Sequence, residues 1–255
     1  MTAVVPGQRP GTDRRSLSEL WLVRHGESLG NEAASRAERE GVDRIALESR
    51  DADVQLSATG QEQADALGAW LDERRAAIDG FWVSPYVRAR QTLAIALGED
   101  GPHAPVIVDE RLRDRELGIL DLLTSHGVAR LEPGEMERRR HLGKFYHRPP
   151  GGESWADVAL RLRSFLRDAS EMEGGSAMVV AHDAVVMLLL YLMLPMDEAQ
   201  LLEFASTNTV LNASVTHVVR AGRGWELVEF ASVDHLRREG AEITVHPGHP
   251  DVEPE

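Results

Sequence analysis

The chain has 255 residues, a formal net charge of −14 at pH 7 and no cysteine. This length is enough for one sizeable core, and a hydrophobic share of 42% with 27% charged residues is typical of a globular protein. The lack of cysteine excludes disulfides, zinc–thiolate sites and cysteine nucleophiles. The acidic charge argues against nucleic acid and anionic membranes as partners.

No segment predicts export or a membrane span. Residues 1–18 are polar and lack the apolar stretch of a signal peptide. The longest apolar run, 184–195, is too short to cross a bilayer and is typical of a buried helix. We therefore expect a cytoplasmic protein. Because the chain is acidic, an anionic substrate would need cationic side chains that are concentrated in one pocket.

Apolar runs and helical spacing define the predicted elements. Short apolar runs without alternation favour central strands buried on both faces, whereas apolar residues three and four apart favour amphipathic helices. In chain order we predict a strand at 20–23, a helix at 29–40, a loop at 51–57, a helix at 57–77, a strand at 81–83, a helix at 87–97, a strand at 106–108, a helix at 153–172, a strand at 177–181, a helix from 183, and two closing strands at 210–219 and 225–233.

Residues 111–152 break this alternation of strands and helices. They are rich in Arg and Glu and are interrupted by Gly and Pro, so we expect a mostly helical cap over one end of the sheet. The whole pattern predicts a single α/β domain over 19–237, with a three-layer α/β/α sandwich around a mostly parallel sheet. Residues 1–18 and 238–255 are predicted to be flexible segments.

Three of the predicted strands end in polar residues that suit a phosphoryl group. The carboxyl ends of parallel strands share one edge of a sheet, where ligands bind, so these residues should converge. Arginine offers a planar fork of donors to phosphate oxygens and stays charged at any working pH. The residues concerned are Arg24, His25 and Gly26 after the first strand, Ser84, Pro85 and Arg88 after the second, and His182 and Asp183 after the fourth.

The same residues carry a resemblance to a known family. The chain resembles the histidine phosphatase superfamily, which includes the cofactor-dependent phosphoglycerate mutases, over roughly residues 20–219. A single Arg-His-Gly would be weak evidence, but four motifs follow in the expected order. They are Leu22-Val-Arg-His-Gly-Glu-Ser28, Leu56-Ser57-x-x-Gly60-x-x-Gln63-Ala64, Ser84-Pro85-x-x-Arg88-Ala89-x-Gln91-Thr92 and Ala181-His182-Asp183.

The resemblance implies a mechanism without a metal ion or cofactor. His25 would be the nucleophile and become a phosphohistidine, while Arg24, Arg88 and His182 would hold the phosphoryl oxygens. A neutral imidazole is nucleophilic when its other nitrogen donates, usually to a backbone carbonyl. Asn31 matches an asparagine that contacts phosphate in some relatives.

A carboxylic acid is needed to protonate the leaving oxygen. The resemblance places it four residues before a glycine, and in Leu112-Arg-Asp-Arg-Glu-Leu-Gly118 this position is Asp114. If the register slips, Glu116 takes the role, and otherwise it would face the substrate. We favour Asp114, whose pKa should rise beside a phosphoryl dianion.

Other charged residues have two interpretations each. The cap cations at 138–148 form either a solvated helix face or a site for a second anionic part of the substrate. Glu153 either orients a pocket arginine or complements a helix N-terminus. We expect His246 and His249 to be solvated, and we find no pattern of metal ligands.

The sequence therefore predicts a metal-independent phosphomonoester hydrolase that acts on a small phosphorylated substrate. One alternative is a phosphoglycerate mutase, although the acid segment Asp114 to Ile119 departs from the mutase pattern Glu-Arg-His-Tyr-Gly-Gly. Another is a phosphate-binding protein without catalysis, which would have no use for the acid. A homodimer is an open alternative to a monomer.

Overall fold

The computed structural model describes residues 17–99, 101–172 and 174–246. Its centre is a six-stranded sheet with the strand order β3-β2-β4-β1-β5-β6. Strand β1 pairs in parallel with β4, which pairs in parallel with β2, whereas β5 and β6 close the sheet in antiparallel fashion. The strands are β1 (Glu19–Arg24), β2 (Gly80–Val83), β3 (Val106–Val108), β4 (Ser176–Ala181), β5 (Val215–Ala221) and β6 (Gly224–Ser232).

Helices cover both faces of this sheet. They are α1 (Leu29–Glu40), α2 (Ala58–Asp72), α3 (Val87–Leu97), α4 (Ser125–Leu131), α5 (Pro133–Leu142), α6 (Trp155–Ala169), α7 (Asp183–Met193), α8 (Glu198–Thr207) and α9 (Asp234–Glu239). None of the helices in the described residues is both long enough and apolar enough to cross a membrane.

The apolar run of β1 explains the layering. Successive side chains of a strand point to opposite faces. Leu20 and Leu22 accordingly pack on the face that α6 and α7 cover, and Trp21 and Val23 pack on the face that α2 and α3 cover. A strand that is buried on both faces needs no polar alternation. The predicted three-layer α/β/α fold is confirmed.

Two predicted elements differ from the structure near the sheet edge. The strand predicted from Val210 begins only at Val215, because residues 210–214 turn around the end of β1. Ala213 has a positive φ of 52°, and the Ser214 hydroxyl donates to the carbonyl of Leu211. The predicted loop at 51–57 contains a short 3-10 helix, Asp51–Asp53.

The cap is only partly helical. Over residues 111–152 it contains α4, α5 and the short 3-10 helix Gly118–Leu120, joined by turns. Gly118 has a positive φ of 58° and lies against the backbone of 150–152, where a side chain would collide. The chain thus folds back on itself between the start and the end of the cap.

The segment after α9 is packed, so the prediction of a flexible tail from 238 is wrong as far as His246. Ala241 and Ile243 join a small apolar cluster with Leu236, and Thr244 is buried. Residues 247–255 lie outside the described residues. At the other end, Leu17 is buried and the Ser18 amide donates to the Gly175 carbonyl, so these two residues belong to the domain, while residues 1–16 are outside the described part.

Candidate active site

The predicted site residues meet at the carboxyl edge of the parallel strands. His25 follows β1, Ser84 follows β2 and His182 follows β4. Arg88 lies in the first turn of α3, and His182 is the residue that precedes α7. The site opens into a cavity of about 980 Å³ between the sheet and the cap. It brings together His25, Arg24, Arg88, His182 and Asp114.

His25 is held in the form that a nucleophile needs. Its Nδ1 lies 2.7 Å from the carbonyl oxygen of Gly26, so Nδ1 is the donor and Nε2 keeps its lone pair. The Nε of Arg88 donates to this Nε2 over 3.2 Å. Burial, followed by the positive charges of Arg88, His182 and Arg24, holds the pKa of His25 well below its ordinary value of 6.5. The ring is therefore neutral at neutral pH.

The loop after His25 is fixed by close packing and by hydrogen bonds. A side chain on Gly26 would come within 2.5 Å of the Gly60 carbonyl oxygen. The Gly26 amide donates to the Thr92 hydroxyl over 3.0 Å, and the Glu27 amide donates to Gln63 Oε1 over 2.8 Å. These contacts explain why the second and third sequence motifs accompany the first.

Arg24 and His182 leave donors that a ligand can use. Arg24 is buried and donates from Nη1 to the Val210 carbonyl over 2.6 Å, while its buried Nε has no hydrogen-bond partner among the described residues. His182 Nε2 lies 2.8 Å from the Ser84 hydroxyl, and its Nδ1 makes no well-aligned hydrogen bond but lies 3.2 Å from Asp114 Oδ2. A buried donor without a partner is rare, and Arg24 Nε therefore suits an anion.

The two candidate acids occupy different places. Asp114 Oδ2 lies 3.0 Å from Arg88 Nη2 and 3.2 Å from His182 Nδ1. Burial disfavours the Asp114 carboxylate, but the charges of His182 and Arg88 outweigh this effect and hold the pKa of Asp114 well below its usual range. Glu116, in contrast, accepts a hydrogen bond from the Tyr86 hydroxyl over 3.0 Å and is about half exposed. Of the two candidate acids, Asp114 is therefore the one that lies beside Arg88 and His182.

Sequence reasoning missed one carboxylate of the site. Asp51 receives three hydrogen bonds from Arg88: its carbonyl oxygen and Oδ1 accept from Nη1 at 2.6 and 2.9 Å, and its Oδ2 accepts from Nη2 at 3.2 Å. It lines the cavity. No motif marked this position, because the contact depends on how a connecting segment crosses α3.

Asn31 and Glu153 have structural partners. Asn31 Oδ1 accepts from the Ser28 amide over 3.1 Å and completes the cap of α1, so its amide nitrogen remains to donate to a ligand. Glu153 binds Arg113 and Arg161, and it accepts from the Glu116 amide over 3.2 Å. Arg161 in turn donates to the Asp114 carbonyl over 3.0 Å. Glu153 thus orients arginines that hold the acid segment.

The cap cations divide between the two predicted arrangements. The half-exposed Arg138 pairs with Glu135, and the exposed Arg148 pairs with Asp157. The side chains of Arg139, Arg140 and Lys144 line the cavity instead.

The two histidines of the C-terminal segment were predicted to be solvated. For His246 this is wrong, because its Nε2 donates to the buried Glu27 carboxylate over 2.5 Å and its Nδ1 lies 2.5 Å from the Ser35 hydroxyl. His249 lies outside the described residues. Within the described ranges, no three His, Asp or Glu side chains are grouped to hold a metal ion.

Comparisons with known proteins agree with this geometry. The family model of the histidine phosphatase superfamily (branch 1) matches residues 20–233, so the chain belongs to this superfamily. The 2,3-bisphosphoglycerate-dependent phosphoglycerate mutase 2 of Gloeobacter violaceus is 34% identical over 178 residues, which are 67% of this chain and 73% of the relative.

Two solved structures share the fold. A mycobacterial glucosyl-3-phosphoglycerate phosphatase, solved in complex with VO3, has a TM-score of 0.67 at 26% identity and covers 84% of this chain and 99% of its own. The alpha-ribazole phosphatase of Shigella flexneri has a TM-score of 0.68 at 23% identity, covers 84% of this chain and 96% of its own, and is a likeness of fold alone.

Proposed function

We propose that the protein is a phosphomonoester hydrolase that works through a phosphohistidine on His25 and needs no metal ion. The observation that carries this proposal is the state of His25. It is a neutral buried imidazole whose Nδ1 is held by a backbone carbonyl and whose Nε2 lies 3.2 Å from Arg88 Nε. A phosphate-binding protein would need the cations, but it would not need a nucleophile in this tautomer.

In the first step Nε2 of His25 attacks phosphorus and the bond from phosphorus to the ester oxygen breaks. The cationic donors Arg24, Arg88 and His182 would bind the phosphoryl oxygens and balance their charge, which is the work that metal ions do in many phosphoryl-transfer enzymes. Asp114 would give its proton to the departing oxygen, so that an alcohol leaves and a carboxylate remains.

In the second step water attacks the phosphohistidine. The Asp114 carboxylate takes a proton from this water, the P–N bond breaks, and neutral His25 is restored. Asp114 then passes the proton to the inorganic phosphate, which leaves as the monoanion, so the carboxylate is ionised again. The proton needed for the first step enters with the substrate, because Asp114 is ionised in the free site. A phosphoryl dianion next to the carboxylate raises its pKa, which favours transfer of that proton onto Asp114.

A mutase is the second candidate, supported by the 34% identity to a phosphoglycerate mutase. A mutase must return the phosphoryl group to a bound product instead of to water. The acid segment Asp114 to Ile119 departs from the mutase pattern, which favours hydrolysis.

The test is a panel of phosphomonoesters assayed for released phosphate in the presence of a chelator, with wild type and His25→Ala. We expect hydrolysis by wild type with the chelator present and loss of at least about 10³-fold in the variant, the usual scale for removal of a nucleophile. Activity that survives the substitution, or that disappears with the chelator, would contradict the proposal. Exchange between phosphoglycerates faster than phosphate release would identify a mutase.

A further inference from the structure

Arg88 is already bound to two carboxylates in the free site. Asp114 contacts its Nη2 over 3.0 Å, and Asp51 contacts both terminal nitrogens of the guanidinium. Burial opposes the charge of Arg88, but these two carboxylates outweigh it and raise the pKa of Arg88. The arginine that is expected to bind the phosphoryl group thus has its charge balanced before substrate arrives.

The two carboxylates differ in what they can do when a phosphoryl dianion enters. Asp114 becomes neutral when it receives the proton that it later delivers. The proposed mechanism gives Asp51 no such proton. Its Oδ2 shares Nη2 of Arg88 with Asp114, but its Oδ1 and its carbonyl oxygen both accept from Nη1. Its negative charge therefore stays near the bound phosphate.

The position of Asp51 is set by the fold as well as by Arg88. The segment is anchored by Val54, which is buried, and by the Leu56 amide, which donates to Gln91 Oε1 over 2.9 Å. The Asp51 carbonyl adds a backbone contact to Arg88 Nη1. These contacts hold the backbone of Asp51 beside Arg88.

We infer that Asp51 is a positioning residue that holds Arg88 against His25 and limits the affinity of the site for inorganic phosphate, so that the product leaves. This inference rests on the proposed function. A fixed anion within a few ångströms of the bound dianion weakens its binding, whereas the hydrogen bonds from Arg88 Nη1 and Nη2 keep Nε of Arg88 turned to His25 Nε2.

The test compares wild type with Asp51→Asn, which removes the charge and keeps the size and one acceptor. The matched control is Asp53→Asn in the same 3-10 helix, since Asp53 pairs with the exposed Arg50. For each protein we would measure kcat, KM and the competitive inhibition constant of inorganic phosphate, with calorimetric titration of phosphate as a direct reading. A thermal melt shows that each variant is folded.

We expect the inhibition constant of phosphate to fall by about tenfold in Asp51→Asn, the scale for one nearby charge in a partly solvated site. KM should fall with it, and kcat should fall because product stays bound. Asp53→Asn should differ from wild type by less than about twofold, as exposed pairs contribute little. Asp51→Glu should return the inhibition constant toward the wild-type value, because it restores the charge.

An inhibition constant that is unchanged or higher in Asp51→Asn would overturn the inference, since Asp51 would then be only a structural partner of Arg88 or a contributor to phosphate binding. This outcome differs from failure of the proposed function, in which wild type itself neither hydrolyses phosphomonoesters nor binds phosphate. In that case both the proposed hydrolase function and the inference about Asp51 are wrong.

Discussion

Replacing Asp114 by Asn removes the proposed proton donor and keeps the size of the side chain. The amide has the size of the carboxylic acid and can still accept from Arg88 Nη2, which lies 3.0 Å from the carboxylate. It cannot give a proton to a leaving oxygen. The effect should therefore depend on how much the leaving group needs that proton.

A positioned general acid typically contributes 10²- to 10⁴-fold to a rate, or about 2.7 to 5.5 kcal/mol. We expect a loss of this size in kcat/KM for an alkyl phosphate, whose alkoxide is a poor leaving group. For p-nitrophenyl phosphate the leaving group is stable as an anion, and the loss should stay below about tenfold. KM should not rise, because the substitution removes a negative charge from beside Arg88 and His182.

The assay is phosphate release from both esters by wild type, Asp114→Asn and Glu116→Gln. Glu116 is bound to the Tyr86 hydroxyl and is about half exposed, so its variant should lose little with either ester. Equal losses for both esters in Asp114→Asn would refute the role of Asp114 as the acid. A selective loss for the alkyl ester in Glu116→Gln alone would assign the role to Glu116.

Three other predictions concern pH and positioning. Asp114 is ionised and His25 is neutral in the free site, so the proton must enter with the substrate monoanion. Because the monoanion becomes scarcer as pH rises, kcat/KM should fall by about tenfold per pH unit above about pH 6.5. A flat profile of kcat/KM from pH 6 to 8 would contradict this. Burial lowers the pKa of His235 from 6.5 to about 4, so the unfolded chain binds more protons between these values and stability falls with falling pH. This group alone should lower the free energy of unfolding by about 2 kcal/mol from pH 7 to pH 5, so urea unfolding of His235→Gln should show a decrease that is smaller by about this amount than the decrease in wild type. Arg161→Met should lower kcat/KM for alkyl esters more than for p-nitrophenyl phosphate, because Arg161 holds the carbonyl of Asp114, whereas Arg167→Met on the exposed side of α6 should change neither.

Much of the fold could be predicted from local patterns. The run Leu20 to Val23 has no polar alternation, and the structure explains this by burial of both faces of β1. Since three such strands end in Arg, Ser or His residues, their convergence at one edge followed from parallel pairing alone. The positions of His25, Arg88 and His182 in the site could be predicted from the sequence for this reason.

Contacts that depend on connecting segments could not be predicted from the sequence. Asp51 reaches Arg88 across 37 positions of sequence through a short 3-10 helix, and no periodicity marks such a meeting. His246 binds Glu27 across 219 positions, from a segment whose polar, proline-containing sequence is typical of a mobile tail. Both contacts arise from tertiary packing, which composition and spacing do not report.

The proposed mechanism depends above all on transfer of the phosphoryl group to His25. The most direct measurement is a rapid-quench experiment in which the enzyme is mixed with a ³²P-labelled phosphomonoester and the denatured protein is analysed for acid-labile, base-stable label. We predict label on the peptide that contains His25 within one turnover, decaying as phosphate is released, and none in His25→Ala. Turnover by wild type without any labelled protein would contradict the account.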